Sequence, residues 1–258
     1  MKPFLSITLL ALCLQVVFSI PAKAQKMIRI ATQLKENSEP MTAKRKGGFS
    51  AVGKWEFGPY KIVDCEAGWK KGSSKSPIFG SHTSSHYTQE KWYMMVNNAD
   101  TCTANIRIYE HIETSDYGFF AKTFLNWHET TVDKGEVYYE TVFSFSNDTS
   151  QWHLGVIAPL PVETEEGTIK RDRTTSFHGV LNHCQTYIEI KEVWLSDDGK
   201  EHLFNPVFGY EFVQDNESLA AVQMLPYNRI YVWIRNDLDN SMKFVLANAA
   251  AAMLVRGY

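Results

Sequence analysis

The chain has 258 residues, of which 26 are basic and 29 acidic, so its formal charge is −3 at pH 7. This mild acidic excess argues against nucleic acid as a partner, because phosphate binding requires a clustered basic face. The length and the 44% hydrophobic content are sufficient to bury a substantial core.

The first 24 residues predict a secretory signal peptide. A basic start at Lys2 precedes an apolar run from Phe4 to Ile20, and Ala22-Lys23-Ala24 forms a small-x-small exit. The apolar run is shorter than the roughly 20 residues that a membrane span requires. We therefore expect an exported protein (periplasmic, cell-surface or extracellular) with residues 25–258 as one β-rich domain and no transmembrane span after cleavage.

Apolar and polar residues alternate through much of this domain, which is typical of half-buried strands. The clearest segments are 104–112, 136–145 and 228–235. Further predicted strands are 27–32, 59–64, 91–96, 121–131, 153–158, 186–195 and 206–213.

Polar turn signals separate these strands. Lys134-Gly135 and Asp197-Asp198-Gly199 predict hairpin connections, because glycine accepts the positive φ of tight turns. Asn97–Asp100 and Asp215–Ser218 are further turn-like clusters. Two other segments, 33–48 and 70–90, are polar and predict irregular arms or loops.

The C-terminal segment predicts a helix over about 240–256. It is rich in alanine and has no internal proline or glycine, with Asp239 or Asn240 as the N-cap and Gly257 as the stop signal. Because this helix is apolar nearly all round, it should dock against the sheet or a partner. The predicted fold is therefore all-β: an antiparallel two-sheet sandwich or open barrel with one C-terminal α-helix.

His82 and His86 stand four residues apart and are the predicted metal ligands. On a helix that spacing places both imidazoles on one face, able to share a zinc ion. The serine-rich surroundings favour a loop instead, where the spacing has no such meaning.

Cys65, Cys102 and Cys184 remain after signal cleavage, and three cysteines allow three single pairings. A Cys65–Cys102 disulfide is favoured because both residues follow strand-like runs and lie nearest in sequence. The alternative is that all three thiols stay reduced.

The sequence is compatible with two catalytic patterns. Cys184 with His178 or His183 offers a thiol and imidazoles, although adjacent residues of a strand point to opposite faces. Glu136 and Glu140 lie about 13 Å apart on an extended strand, too far for a glycosidase pair, so Glu129 would have to contribute across the Lys134-Gly135 turn.

Seven tryptophans accompany the predicted strands, and Trp69 and Trp127 adjoin polar, loop-like residues. We expect these two to be exposed and to bind ligand, and Trp194 and Trp233 to lie in the core.

The common hydrolase and nucleotide-binding signatures are missing from the chain. The leading hypothesis is an exported, non-catalytic binding or envelope protein for a glycan or another surface protein, with no cofactor. The alternatives are an unfamiliar secreted hydrolase with a carboxylate or histidine site, and a purely structural envelope protein.

Overall fold

The structure is a computed structural model that describes the chain in segments. The described residues are 27–46, 53–75, 82–98, 100–116, 130–146, 148, 151–159, 161–163, 169–171, 177–200, 207–225 and 230–256. The predicted signal peptide therefore lies outside the described residues.

Two helices and fifteen strands occupy the described segments. The helices are α1 (Thr32–Glu36) and α2 (Asn240–Arg256). The strands are β1 (Met41–Lys46), β2 (Lys54–Phe57), β3 (Tyr60–Ala67), β4 (Lys71–Lys75), β5 (His82–Asn97), β6 (Asp100–Asp116), β7 (Thr130–Phe145), β8 (Gln151–Pro159), β9 (Pro161–Glu163), β10 (Ile169–Arg171), β11 (His178–His183), β12 (Thr186–Val193), β13 (Gly209–Gln214), β14 (Glu217–Gln223) and β15 (Ile230–Ile234).

Twelve of these strands form a closed antiparallel barrel. The strands follow the order β3-β2-β1-β15-β14-β13-β12-β11-β8-β7-β6-β5, and β5 pairs back to β3. Closure leaves no free edge within this ring. Strand β4 continues the line of β3 and pairs with β5 where β5 extends beyond the ring.

Helix α2 runs through the interior of the barrel. Its residues from Phe244 to Val255 are all buried, and it packs against β6 and β7 as well as against β14 and β15 on the opposite wall. A helix that is apolar on every side must be surrounded by apolar side chains, and the inner face of the barrel supplies them. The four consecutive alanines, 249–252, keep the helix narrow where large wall side chains such as Tyr139 and Phe143 also point inward.

Polar side chains of the wall fix the helix in this position. Tyr93 and Tyr139 donate hydrogen bonds to the α2 carbonyls of Asn248 and Ala252, at 2.7 and 2.6 Å. Lys91 is buried and donates to the carbonyl of Val255 at 3.2 Å, so a cation lies at the negative end of the helix dipole. Burial lowers the pKa of Lys91, and the nearby Glu110 carboxylate opposes that shift.

The N-terminal segment covers part of the outer wall. Ile28 and Leu34 are buried against Tyr231 and Trp233, which belong to the outer face of β15. The strand is consequently buried on both faces, whereas its alternating pattern predicted one polar face.

The structure confirms the all-β class with one C-terminal helix, and the sheet closes as a barrel. Asp239 is the N-cap, because its Oδ1 accepts from the amide of Met242 at 2.8 Å. Gly257 lies outside the described residues. Asp215 and Asn216 form the β13–β14 hairpin turn with φ of 50° and 66°, as their turn-like sequence indicated.

Several local predictions are wrong. Lys134-Gly135 does not form a hairpin, because both residues lie inside β7. A bulge lies beside them, where β7 has one residue more than β6 between the partners of Glu113 and Thr114. Segment 27–32 contributes a single bridge at Ile28 and no strand. Segment 33–48, predicted to be irregular, contains α1 and β1, and 70–90 contains β4 and the first half of β5. Polar residues can be held in strands by backbone pairing: β4 pairs with β5, and this half of β5 pairs with both β4 and β6.

The structure contradicts the Cys65–Cys102 disulfide, since both residues have free thiols. Cys65 lies on β3 and Cys102 on β6, with β5 between them. Two strand spacings are about 10 Å, whereas the Cα atoms of a disulfide lie within about 6.8 Å.

Neither described helix has the length and apolar character of a membrane span.

Candidate functional site: a groove on the outer wall

The candidate site lies on the outer face of β5–β8, near the end of the barrel where β5 extends beyond the ring. Pairing on both sides places side chains of neighbouring strands in rows across the sheet. One row contains Thr88, Tyr109, Tyr138 and Ile157, and the next contains His86, His111 and Glu136. Directly opposite residues of an antiparallel pair share a face, so these two rows form one surface.

Three large apolar side chains stand exposed side by side in the first row. Tyr109 and Tyr138 are each 40% exposed and Ile157 is 41% exposed. The two tyrosine rings are tilted by 32° with centroids 5.8 Å apart. Burial raises the pKa of Tyr138, and the Glu140 carboxylate and Tyr109 raise it further.

A pair of histidines borders this apolar row. The rings of His86 and His111 have centroids 4.4 Å apart, and their Nδ1 atoms are separated by 3.1 Å. His111 Nε2 lies 3.1 Å from a carboxylate oxygen of Glu113, and His86 Nε2 lies 3.4 Å from the hydroxyl of Ser84.

Together the two rows line an open groove with a volume of about 370 Å³. Its lining combines aromatic, imidazole and carboxylate groups, which is the composition of a ligand site: an apolar platform with a few polar groups to fix orientation. The lining residues are His86, Tyr87, Thr88, Tyr109, Glu110, His111, Glu136, Tyr138 and Ile157.

The contacts Ser84–His86–His111–Glu113 also resemble, in their connectivity, a nucleophile with its base and orienting groups. Acyl transfer further requires hydrogen-bond donors for the developing oxyanion. Strands β5 and β6 are paired on both sides here, so the described backbone amides around Ser84 are used by the sheet. These described amides are therefore not free to donate to an oxyanion.

His86 was a predicted metal ligand, and the structure places it in the groove beside His111. His82 and His86 both lie on β5, where four residues of strand span about 13 Å. The helical spacing that would bring them together does not occur, and the side chain of His82 is not described. Among the described residues, no group of three or more His, Cys, Asp or Glu side chains is placed to hold a metal ion.

Trp69 is exposed as expected, with 91% of its surface accessible, in the break between β3 and β4. Trp127 lies outside the described residues. Trp233 is buried as expected and Trp194 is half-buried. Ligand binding by Trp69 and Trp127 stays a prediction.

The described residues of the thiol pattern are spread along β11 and the turn that follows it. Cys184 is exposed in the β11–β12 turn, with φ of 49°. His183 stacks on Trp152 and its Nδ1 contacts the carbonyl of Gln151, while His178 lies at the other end of β11. Glu136 and Glu140 share one face of β7 as expected, and Glu129 lies outside the described residues.

Sequence reasoning missed Tyr109, Tyr138 and His111 as site residues. In the alternating sequence, Tyr109 and His111 share a face with Asn105 and Arg107, and Tyr138 shares one with Glu136 and Glu140. That alternation was the available signal. What joins them is the register of β5, β6 and β7, which sequence spacing does not specify.

No family model, curated protein or solved structure matches this chain.

Proposed function

We propose that this chain is an exported, non-catalytic binding protein that holds a glycan in the groove of the outer wall. The observation that carries the proposal is the exposed row of Tyr109, Tyr138 and Ile157. Aromatic faces that remain accessible on a sheet can stack on sugar rings.

The filled lumen supports an external site. A barrel of twelve strands could enclose a ligand, but here the interior is occupied by α2, whose residues from Phe244 to Val255 are at most 4% exposed. The groove, with a volume of about 370 Å³, offers space for a ligand outside the wall.

The polar rim of the groove suits hydroxyl-rich ligands. Glu136 offers acceptors, the Tyr138 hydroxyl is a donor, and the imidazoles of His86 and His111 can do either. Few of these groups are fully buried, so they can exchange water for sugar hydroxyls without leaving a desolvated charge.

A glycan array tests the proposal, using the labelled mature chain in EDTA-containing buffer and titration calorimetry on the glycans it selects. Loss of an aromatic anchor costs about 2 kcal/mol or more, so Tyr109→Ala and Tyr138→Ala should each weaken binding by about 30-fold. Tyr187→Ala is the matched control, because Tyr187 is a 62% exposed tyrosine on β12 outside the groove.

Trp69→Ala and Trp127→Ala belong in the same series, since both tryptophans remain predicted ligand residues. Binding that depends on Trp69 but not on Tyr109 or Tyr138 would move the site to the β3–β4 break. No bound glycan, or binding equal in all the tyrosine variants, would contradict the proposal.

A secreted hydrolase is the second candidate, favoured by the contacts between Ser84, His86, His111 and Glu113. A fluorophosphonate probe would label Ser84 in the wild-type chain and leave Ser84→Ala unlabelled if the serine were an activated nucleophile. Because the surrounding amides are committed to the sheet, we expect no labelling.

A further inference from the structure

The geometry of the histidine pair indicates a more specific role than that of polar groups at the edge of the groove. His86 and His111 are directly opposite residues of β5 and β6, and their Nδ1 atoms, 3.1 Å apart, face each other. Two neutral imidazoles can share one hydrogen bond in this position, with one Nδ1 donating and the other accepting.

The contacts of the two Nε2 atoms indicate which ring donates the hydrogen bond between the Nδ1 atoms. The Glu113 carboxylate only accepts, so a neutral His111 would carry its proton on Nε2 and present a lone pair at Nδ1. His86 then donates from Nδ1, and the Ser84 hydroxyl can donate to its Nε2. Each ring is thus oriented by a partner on its far side, as is common for metal-ligating histidines.

We propose that His86 and His111 bind one divalent transition-metal ion through their two Nδ1 atoms. Nitrogen ligands lie about 2.0–2.1 Å from Zn²⁺, so two of them on a tetrahedral ion are about 3.3 Å apart. The observed 3.1 Å is close to this separation, and small ring movements suffice for the ion to replace the shared hydrogen.

When the ion binds, protons are exchanged with solvent but neither imidazole ring changes its charge. His86 loses its Nδ1 proton to solvent and gains one from solvent at Nε2, where the Ser84 hydroxyl then accepts the hydrogen bond. His111 keeps its Nε2 proton on Glu113 and needs no change. Two neutral imidazoles therefore face the ion.

The donor set selects the class of ion. Imidazole suits Zn²⁺, Cu²⁺ and Ni²⁺, whereas Mg²⁺ and Ca²⁺ take oxygen ligands. Since no described third residue completes the set, water fills the remaining positions and the ion is exchangeable. The affinity should follow the usual order for nitrogen sites, with Cu²⁺ bound most tightly.

Calorimetry with CuCl₂, NiCl₂, ZnCl₂ and MgCl₂ tests the inference on the mature chain, purified without a tag and stripped with EDTA. His86→Asn and His111→Asn should each weaken Cu²⁺ binding at least tenfold. His153→Asn, a matched change of an exposed histidine on β8, should leave it unchanged. Glu113→Ala should weaken binding about tenfold, because outer partners orient the ligand.

Electron paramagnetic resonance of the Cu²⁺-loaded chain supplies a readout independent of affinity. Couplings to two imidazole nitrogens in the wild type, and to one in either single variant, would support the site. Equal binding in all variants, dependence on His82 but not on His111, or preference for Mg²⁺ would overturn it. The glycan assay is run in EDTA, so each proposal can fail without the other.

Discussion

Asn248 is a polar residue in the middle of α2, inside the barrel. Its Nδ2 donates to the carbonyl of Phe244 at 2.9 Å, while its buried Oδ1 has no hydrogen-bond partner among the described residues. An unsatisfied buried acceptor costs about 1–3 kcal/mol. The residue therefore identifies a site where a substitution can stabilise the fold.

Replacing Asn248 by leucine should raise the free energy of unfolding by about 1–2 kcal/mol, because it removes that acceptor while keeping the number and branching of the side-chain heavy atoms. Urea unfolding at pH 7 measures the change. Asn248→Asp is the opposing control and should destabilise the chain severely, since it buries a charge. An unchanged or lowered free energy of unfolding in the leucine variant would contradict this prediction.

Tyr93 and Tyr139 predict a loss of stability in alkali. Burial raises the pKa of both hydroxyls well above the ordinary range. Above pH about 10 the unfolded chain releases these protons and the folded chain keeps them, so stability falls as pH rises. Each tyrosine contributes at most about 1.4 kcal/mol per pH unit to that slope.

The double variant Tyr93→Phe, Tyr139→Phe should lose stability less steeply than the wild type between pH 10 and 11.5. Other buried groups, such as Lys91 and Cys102, are common to both proteins, so the difference isolates the two tyrosines. Denaturant unfolding across this pH range provides the data. Parallel curves would show that neither hydroxyl is buried as described.

The three thiols should differ in reactivity because they differ in burial. Cys184 is exposed, Cys65 is half-buried and Cys102 is fully buried, where burial raises the pKa of the thiol. We expect a thiol reagent to label Cys184 first in the native chain and Cys102 only after unfolding. Peptide mapping by mass spectrometry would assign the labels, and a Cys65–Cys102 bridge in the unreduced protein would contradict the structure.

At the scale of elements, α2 is the one that sequence predicted best. Alanine content, the candidate caps Asp239 and Asn240, and the stop signal Gly257 predicted a helix over about 240–256. The structure has the helix at Asn240–Arg256, with Asp239 as the cap. Strand β4 and the first half of β5 were missed because serine, threonine and histidine lack the apolar alternation that marks a half-buried strand. What holds them extended is pairing with neighbours from elsewhere in the chain.

The alanines of α2 should resist enlargement. Ala250 is fully buried inside the barrel, so Ala250→Leu introduces three carbon atoms that the closed wall must accommodate. Overpacking of this kind costs typically about 1–3 kcal/mol. Ser241→Leu, at the exposed start of the same helix, is the matched control and should change the unfolding free energy by less than about 0.5 kcal/mol. Equal changes in the unfolding free energy at the two positions would indicate that α2 lies outside the barrel wall.

At the scale of the whole molecule, the closing of the sheet into a barrel is the feature that could not be predicted from the sequence. The alternation gave the all-β class, but the β1–β15 and β3–β5 pairings join distant or non-consecutive segments. Sandwich and barrel have the same local pattern, and only these pairings distinguish them. The histidine pair and the tyrosine row depend on the same non-local register.

Closure also determines where function can reside. With α2 inside, the apolar residues of the wall are used for stability, and accessible aromatic residues such as Tyr109 and Tyr138 become the available binding surface. The proposals for glycan and metal binding both assume this division between a filled interior and a functional exterior.

A methyl nuclear Overhauser experiment on the alanine-labelled mature chain tests that division most directly. The methyl groups of Ala249–Ala252 should show contacts both to β6 and β7 and to β14 and β15, because α2 packs against opposite walls. Contacts to one wall only, with the remaining methyls exposed to water, would contradict a helix inside a closed barrel.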